Sequence, residues 1–267
     1  MAVTVFTSIG SSPGVSTTVL GLAQQWGSPV LLVEADITKP STVVSGYLRG
    51  SRSAQHGLND LANITNIGIN ASDVLSVAFP IDEEEELLVL AGLPNPVAAA
   101  GMNRLWAGIS ASFQELESAG FDILIDYGRY SFTDPYRTVL LEQADQVVVL
   151  TGTGLPDVTA LKYGLDPLAQ ARSAIGKSEH LSLGTIGRGA NTLSHGEIIK
   201  YMQLPSAGHI PFDPAAAATL SYGEPIRERL LKRNHFAKSI HEMAASTKRA
   251  AEQSAALYKT VVEQEQA

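Results

Sequence analysis

Cysteine is absent from this 267-residue chain, so disulfides and thiolate metal sites are excluded. Long apolar runs are absent too. Although 45% of the residues are hydrophobic, no stretch is long enough to cross a bilayer. The first residues lead straight into a strand pattern, without the basic start and apolar core of a secretory leader. These absences together predict a cytoplasmic protein. The six histidines are scattered, and none stands three or four residues from another, so the spacing of a helical metal site is missing. Excess positive charge is also lacking. A formal net charge of −8 disfavours broad nonspecific binding to DNA or to an anionic membrane, leaving only local basic patches such as Arg227 to Arg233. No nucleophile is paired with a base, and Gly187 to Gly189 is too short for a dinucleotide fingerprint.

What is present is organised around Ser8-Ile9-Gly10-Ser11-Ser12-Pro13-Gly14-Val15-Ser16-Thr17-Thr18. The apolar run Val3 to Thr7 precedes it, and a helical pattern from Val19 to Trp26 follows. Strand, small-residue loop and helix are the setting of a phosphate-binding loop. Small residues let successive N–H groups turn toward an anion, and the helix N-terminus adds its partial positive charge. Ser16-Thr17 stands where such a loop keeps its Mg²⁺ hydroxyl. The lysine expected just before it is Val15, an apolar side chain set where phosphate would lie.

Further along, short apolar runs alternate with helical patterns. Strands are predicted at Pro29 to Asp36, Leu87 to Ala91, Phe121 to Asp126, Gln146 to Thr151, Leu181 to Ile186 and Gly208 to Pro211. Short helices are predicted at Val43 to Leu48, Gly57 to Asn63 and Glu197 to Gln203. Longer ones are predicted at Asn103 to Ala119 and over Leu155 to Arg172. The acidic run Asp82 to Glu86 reads as a solvated loop or a docking patch for a basic partner. From Gly223 onward the chain is helical and mostly polar, its apolar residues thinning toward the end. The expected organisation is a 1–235 α/β domain, a mostly parallel twisted sheet with helices on both faces, and a 236–267 helical tail. The part of it after Lys248 is read as packed, free or partner-binding.

Right-handed crossovers would bring the strand ends to one edge, where such sheets bind ligands. The loop at 8–18, Asp36 and Asp126 then converge although far apart in sequence. Backbone N–H groups from Ser11 to Thr17 can cradle phosphate, with Ser11, Ser12, Gly14, Val15, Ser16 and Thr17 as the lining. Ser16 and Asp126 are the candidate Mg²⁺-side residues, and Asp36 is the candidate carboxylate for orienting an attacking water. The plainer alternative is that both aspartates cap the turns that follow them.

Five stretches give a resemblance. Gly14-Val15-Ser16-Thr17-Thr18, Val30 to Asp36, Phe121 to Asp126, Ala144 to Thr151 and Ile210 to Pro214 (with Gly223-Glu224-Pro225-Ile226) follow one another as in the ParA/MinD superfamily of P-loop ATPases. The resemblance spans about residues 2 to 235. It implies a P-loop fold with a deviant Walker A loop, a homodimer, and ATP or ADP with Mg²⁺ as cofactor. It also implies Asp36 as the catalytic carboxylate, Asp126 on the metal side, and Pro211 and Asp213 against the adenine. The departures are as informative. Val15 replaces the Walker lysine, Gly10 the signature lysine that reaches the partner's nucleotide, and Ile9 the first glycine. Glu34 replaces the first Asp of the D-x-D strand end, and Gly187 the adenine-reading Asn, with Arg188 behind it. Lys39 and Arg129 are the candidate substitute cations, or else plain surface charges. Three functions stay open: a degenerate dimeric scaffold or positioning factor that engages a protein partner, a working ATPase in DNA partitioning or cargo positioning, and a metabolic enzyme for another phosphate ligand.

Overall fold

The computed structural model describes residues 1–265 except 53–55, 65–67, 82–85, 103, 176–179, 188, 190–191 and 224–234. The acidic run, Arg188 and the basic patch of 227–233 therefore lie almost wholly outside the described residues. Eight strands form one sheet: β1 (Val3–Ser8), β2 (Val30–Glu34), β3 (Phe79–Pro80), β4 (Leu87–Leu90), β5 (Asp122–Arg129), β6 (Gln146–Gly152), β7 (Leu181–Ile186) and β8 (Ser206–Ile210). Their order is β3-β4-β2-β5-β1-β6-β7-β8. Every pairing is parallel except that of the short edge strand β3 with β4.

The central strands are continuous apolar runs because both faces are covered. Val5, Val33, Ile125 and Val149 face one core with Trp106, Ile109, Phe113, Leu116 and Leu161. Phe6, Leu32, Leu124 and Val148 face the other with Val19, Leu22, Trp26, Leu220, Ile240 and Met243. Helices α1 (Val15–Ala23), α2 (Leu58–Ile64), α3 (Ala71–Val77), α4 (Leu105–Ala111), α5 (Phe113–Ser118), α6 (Thr138–Gln143), α7 (Leu155–Ala174), α8 (His195–Met202), α9 (Pro214–Tyr222) and α10 (His235–Glu265) supply those layers. A π-helical turn at Val43–Tyr47 follows β2.

One expectation changes in detail. The long helix anticipated before β5 is two, α4 and α5, meeting at Ser112, whose hydroxyl donates to the Ile109 carbonyl at 2.7 Å. Among the alternatives left open for the C-terminal helix, the structure shows the packed one. Phe236, Ile240, Met243, Ala244, Ala251 and Ala255 are buried, a stripe at helical spacing. Met243 packs against the open side of Gly208, 3.3 Å from where a Cβ would stand. Lys248 donates to Ser28 Oγ at 2.7 Å and pairs with buried Asp122 at 3.7 Å. Among the described residues, no helix is long and apolar enough to cross a membrane.

Candidate functional site

In the sheet, β1 lies between β5 and β6, while the chain leaves β1 to build β2 on the far side of β5. That reversal opens a crevice at the carboxyl ends of β1, β5 and β2. A cleft of about 590 Å³ occupies it, walled by the β1–α1 loop, the segment after β2, the end of β5 and the last turn of α9. Ser12, Gly14, Val15, Ser16, Thr17 and Asp36 line this cleft, as do Lys39 and Arg129.

The loop has the shape its small residues allow. Gly14 caps α1 with φ 104° and ψ 40° and offers no side chain to the first helical amides. The Ser8 hydroxyl donates to the Ser11 carbonyl at 2.7 Å. Gly10 has φ +79°, and a Cβ there would lie 2.2 Å from the Ala160 Cβ on α7. One step further along α7, Gly164 leaves room for Ile9, whose Cγ2 lies 2.3 Å from where a Cβ of residue 164 would stand. So the loop is pressed against α7, and the place of the signature lysine has no space for any side chain. Val15 is also internal: it is 6% exposed and belongs to the core with Phe6, Val19 and Leu20. The sequence suggested that Val15 would stand in the phosphate space. Its side chain packs into that core and also lines the cleft.

The cations sit on the loop's hydroxyls. Lys39 Nζ donates to Ser16 Oγ at 2.5 Å and lies 3.4 Å from Asp36 Oδ2. Arg129 donates to Ser12 Oγ at 3.0 Å. Asp36 accepts from the Thr38 N–H and hydroxyl at 2.9 and 2.6 Å, the turn-capping role weighed as its plainer alternative. Gly128, at φ +68°, lets Asp36 lie against β5, since a Cβ there would sit 2.3 Å from the Asp36 Cγ. Asp126 accepts from the Gly128 N–H at 3.0 Å and is 2% exposed. Burial pushes its carboxyl up from 3.8 to about 6, against the opposing pull of Lys39 and a hydrogen bond from Ser16.

These residues do not fit a divalent cation. Mg²⁺ would need the Ser16 oxygen and water-linked carboxylates in an octahedral shell at about 2.1 Å. The Ser16 oxygen holds the Lys39 ammonium instead, and that ammonium also faces Asp36. Pro211 and Asp213 do not line the cleft, and Asp213 Oδ1 caps α9 by accepting from the Ala216 N–H at 2.9 Å. A Cβ on Gly187 would lie 2.9 Å from the Phe212 nitrogen, so the backbone after β8 closes on that position.

Three supports escaped the sequence reading. Buried Glu34 takes the Ser41 hydroxyl on Oε2, the Thr42 and Val43 amides at 2.7 and 3.0 Å, and the Gly92 amide at 3.1 Å. It therefore pins the segment carrying Lys39. Arg137, 1% exposed, donates to the Ala35 and Tyr127 carbonyls at 2.8 Å each and pairs with Asp134 at 2.5 Å. It clips the ends of β2 and β5 together; the Asp134/Arg137 spacing was its one visible sign. Helix α9 was also missed, although Thr17 bonds Ser221 on it at 3.0 Å.

Sequence comparison matches the chain to no family model and to no curated protein. Structural comparison is more informative. MinD of Pyrococcus horikoshii in complex with Mg-ADP aligns over 95% of this chain and 98% of its own, at 16% identity and a TM-score of 0.60. A ParA family ATPase from Chlorobium tepidum aligns over 91% and 98%, at 17% identity and a TM-score of 0.65. The MinC:MinD cell division complex of Aquifex aeolicus aligns over 92% and 94%, at 15% identity and a TM-score of 0.61. The crevice, the loop after β1 and the order of the strands thus belong to a shared architecture: this chain has the P-loop α/β fold of the MinD and ParA ATPases.

Proposed function

We propose that the chain is a degenerate ParA/MinD-like protein that works as a dimeric scaffold or positioning factor, with weak or absent ATP hydrolysis. One observation carries the reading: both lysine positions are built into the packing. Val15 is core, and Gly10 abuts Ala160. Transition-state charge on a transferring phosphoryl group needs cations aimed at it in advance. With both loop lysines gone and the Ser16 hydroxyl tied to Lys39, the loop's own share of that stabilisation is missing. A phosphate ligand can still meet the α1 amides, Lys39 and Arg129, so ATP or ADP as a structural ligand remains compatible with the reading.

The apolar surface supports a second copy as partner. Phe132, Tyr136 and Leu155 are 78, 51 and 68% exposed, on the connections that leave β5 and β6 on either side of the loop. MinD in complex with MinC supports a further protein partner by analogy. Retention of Ser16, Asp36 and Asp126 at one edge favours the second reading, an ATPase in DNA partitioning or cargo positioning. The test is the solution mass by light scattering, with and without Mg·ATP. A dimer in both conditions, weakened by Phe132→Ser and Leu155→Ser, supports the scaffold. A monomer in both refutes it, and a dimer formed only with Mg·ATP favours the ATPase.

A further inference from the structure

The Lys39 side chain is 38% exposed, yet its ammonium turns inward onto the loop. Its ammonium touches Ser16 Oγ at 2.5 Å and Asp36 Oδ2 at 3.4 Å, and its field is felt at buried Asp126. These are the hydroxyl and the two carboxylates among which a P-loop would keep its metal. The backbone carrying Lys39 is held at both ends. Thr38 is locked to Asp36 by two hydrogen bonds, and Ser41, Thr42 and Val43 are locked to Glu34. Glu34 is 4% exposed, so that anchor is internal. Across the loop, Arg129 is held to Ser12 Oγ at 3.0 Å. Among the described residues, these two cations line the cleft, and together they bring the charge a divalent ion would bring.

We propose that the cleft binds its phosphate-bearing ligand without a divalent cation, the Lys39 ammonium holding the place between Ser16 and Asp36. The proposal rests on the reading that the cleft is a phosphate site. An ammonium at hydrogen-bond distance from Ser16 excludes Mg²⁺ by volume and by like charge. It also offers donors that turn to a phosphate oxygen while the stem stays put. Arg129 supplies the planar donors on the other side. The ligand class is a di- or triphosphate, free or carried by a nucleoside.

The full chain is titrated calorimetrically with ATP, ADP and pyrophosphate, each in EDTA and each with excess Mg²⁺. Binding in EDTA that Mg²⁺ does not tighten is the expected result. Equal affinity for pyrophosphate and ATP would make the phosphates alone the recognised group; preference for ATP would add the nucleoside. Lys39→Ala is expected to weaken binding in EDTA by about tenfold or more, the worth of one hydrogen bond to a charged group. Binding that appears or tightens only with Mg²⁺ overturns the proposal but leaves the phosphate site standing. No heat with any probe in either buffer overturns the phosphate reading itself, and the proposal with it. A ligand-free arm uses Mn²⁺ followed by electron paramagnetic resonance. The parent chain is expected to bind none at the cleft and Lys39→Ala to gain a site; Mn²⁺ bound by the parent and displaced by Mg²⁺ contradicts the proposal.

Discussion

Replacing Gly10 by alanine tests whether the loop is closed by its own packing. The added Cβ would lie 2.2 Å from the Ala160 Cβ, well inside van der Waals contact. Overfilling of this kind costs about 1–3 kcal/mol. The left-handed backbone, φ +79°, adds about 1–2 kcal/mol for any side chain. Gly10→Ala is therefore expected to lose about 2–5 kcal/mol, and Gly10→Lys at least as much. Ala160→Gly alone should cost about 1 kcal/mol, as glycine does inside a helix. In the double variant the clash is gone, so the two effects should fall short of their sum by about 1–3 kcal/mol. Urea unfolding followed by tryptophan fluorescence reads this directly, because Trp26 and Trp106 are 4 and 2% exposed. A Gly10→Ala variant within about 0.5 kcal/mol of the parent, or a cycle with no coupling, would show that α7 does not close the loop.

Other parts of the site make separate predictions. Asp126 has a folded pKa raised from 3.8 to about 6, so the folded state holds more protons than the unfolded state between those values and stability falls as pH rises through them. Above pH 6 the buried carboxylate costs about 3 kcal/mol. Asp126→Asn should raise the urea midpoint at pH 8 and leave it nearly unchanged at pH 4, whereas a pH-independent difference would refute the burial argument. Arg137→Met strands the Ala35 and Tyr127 carbonyls and the Asp134 carboxylate; a loss of about 3–5 kcal/mol is expected in the same assay. Lys248→Ala removes the bond to Ser28 and the partner of Asp122, so a loss of about 1–2 kcal/mol is expected, with faster amide exchange in α10.

The sheet was legible because most of its strands are continuous apolar runs, and burial on both faces forces that pattern. The convergence of the loop, Asp36 and Asp126 followed from crossover handedness alone. The edge strand β3 was not legible, since Phe79–Pro80 is too short to show any period. Helix α9 was hidden by its alanines, which carry helix propensity but no amphipathic stripe. The role of Glu34 was read as a departure from a motif. Its meaning, an anchor for the segment 41–43, depends on backbone amides that leave no sequence signal. The reason for Gly10 lies 150 residues away, in Ala160. The missing lysine could be seen in the sequence, but the filled space could not. The packing of α10 was ambiguous because its buried stripe is narrow and partly alanine, and alanine in a polar helix reads equally well as exposed.

The measurement that bears most directly on the account is phosphate release from Mg·ATP at saturating nucleotide, for the parent chain and for Asp36→Ala. With Val15 in the core, Gly10 closed by α7 and Ser16 held by Lys39, the parent is predicted to release phosphate at or barely above the buffer rate, and Asp36→Ala to change that rate little. Rapid turnover by the parent that Asp36→Ala abolishes would contradict the account, for it would mean that this cleft performs efficient hydrolysis without either loop lysine.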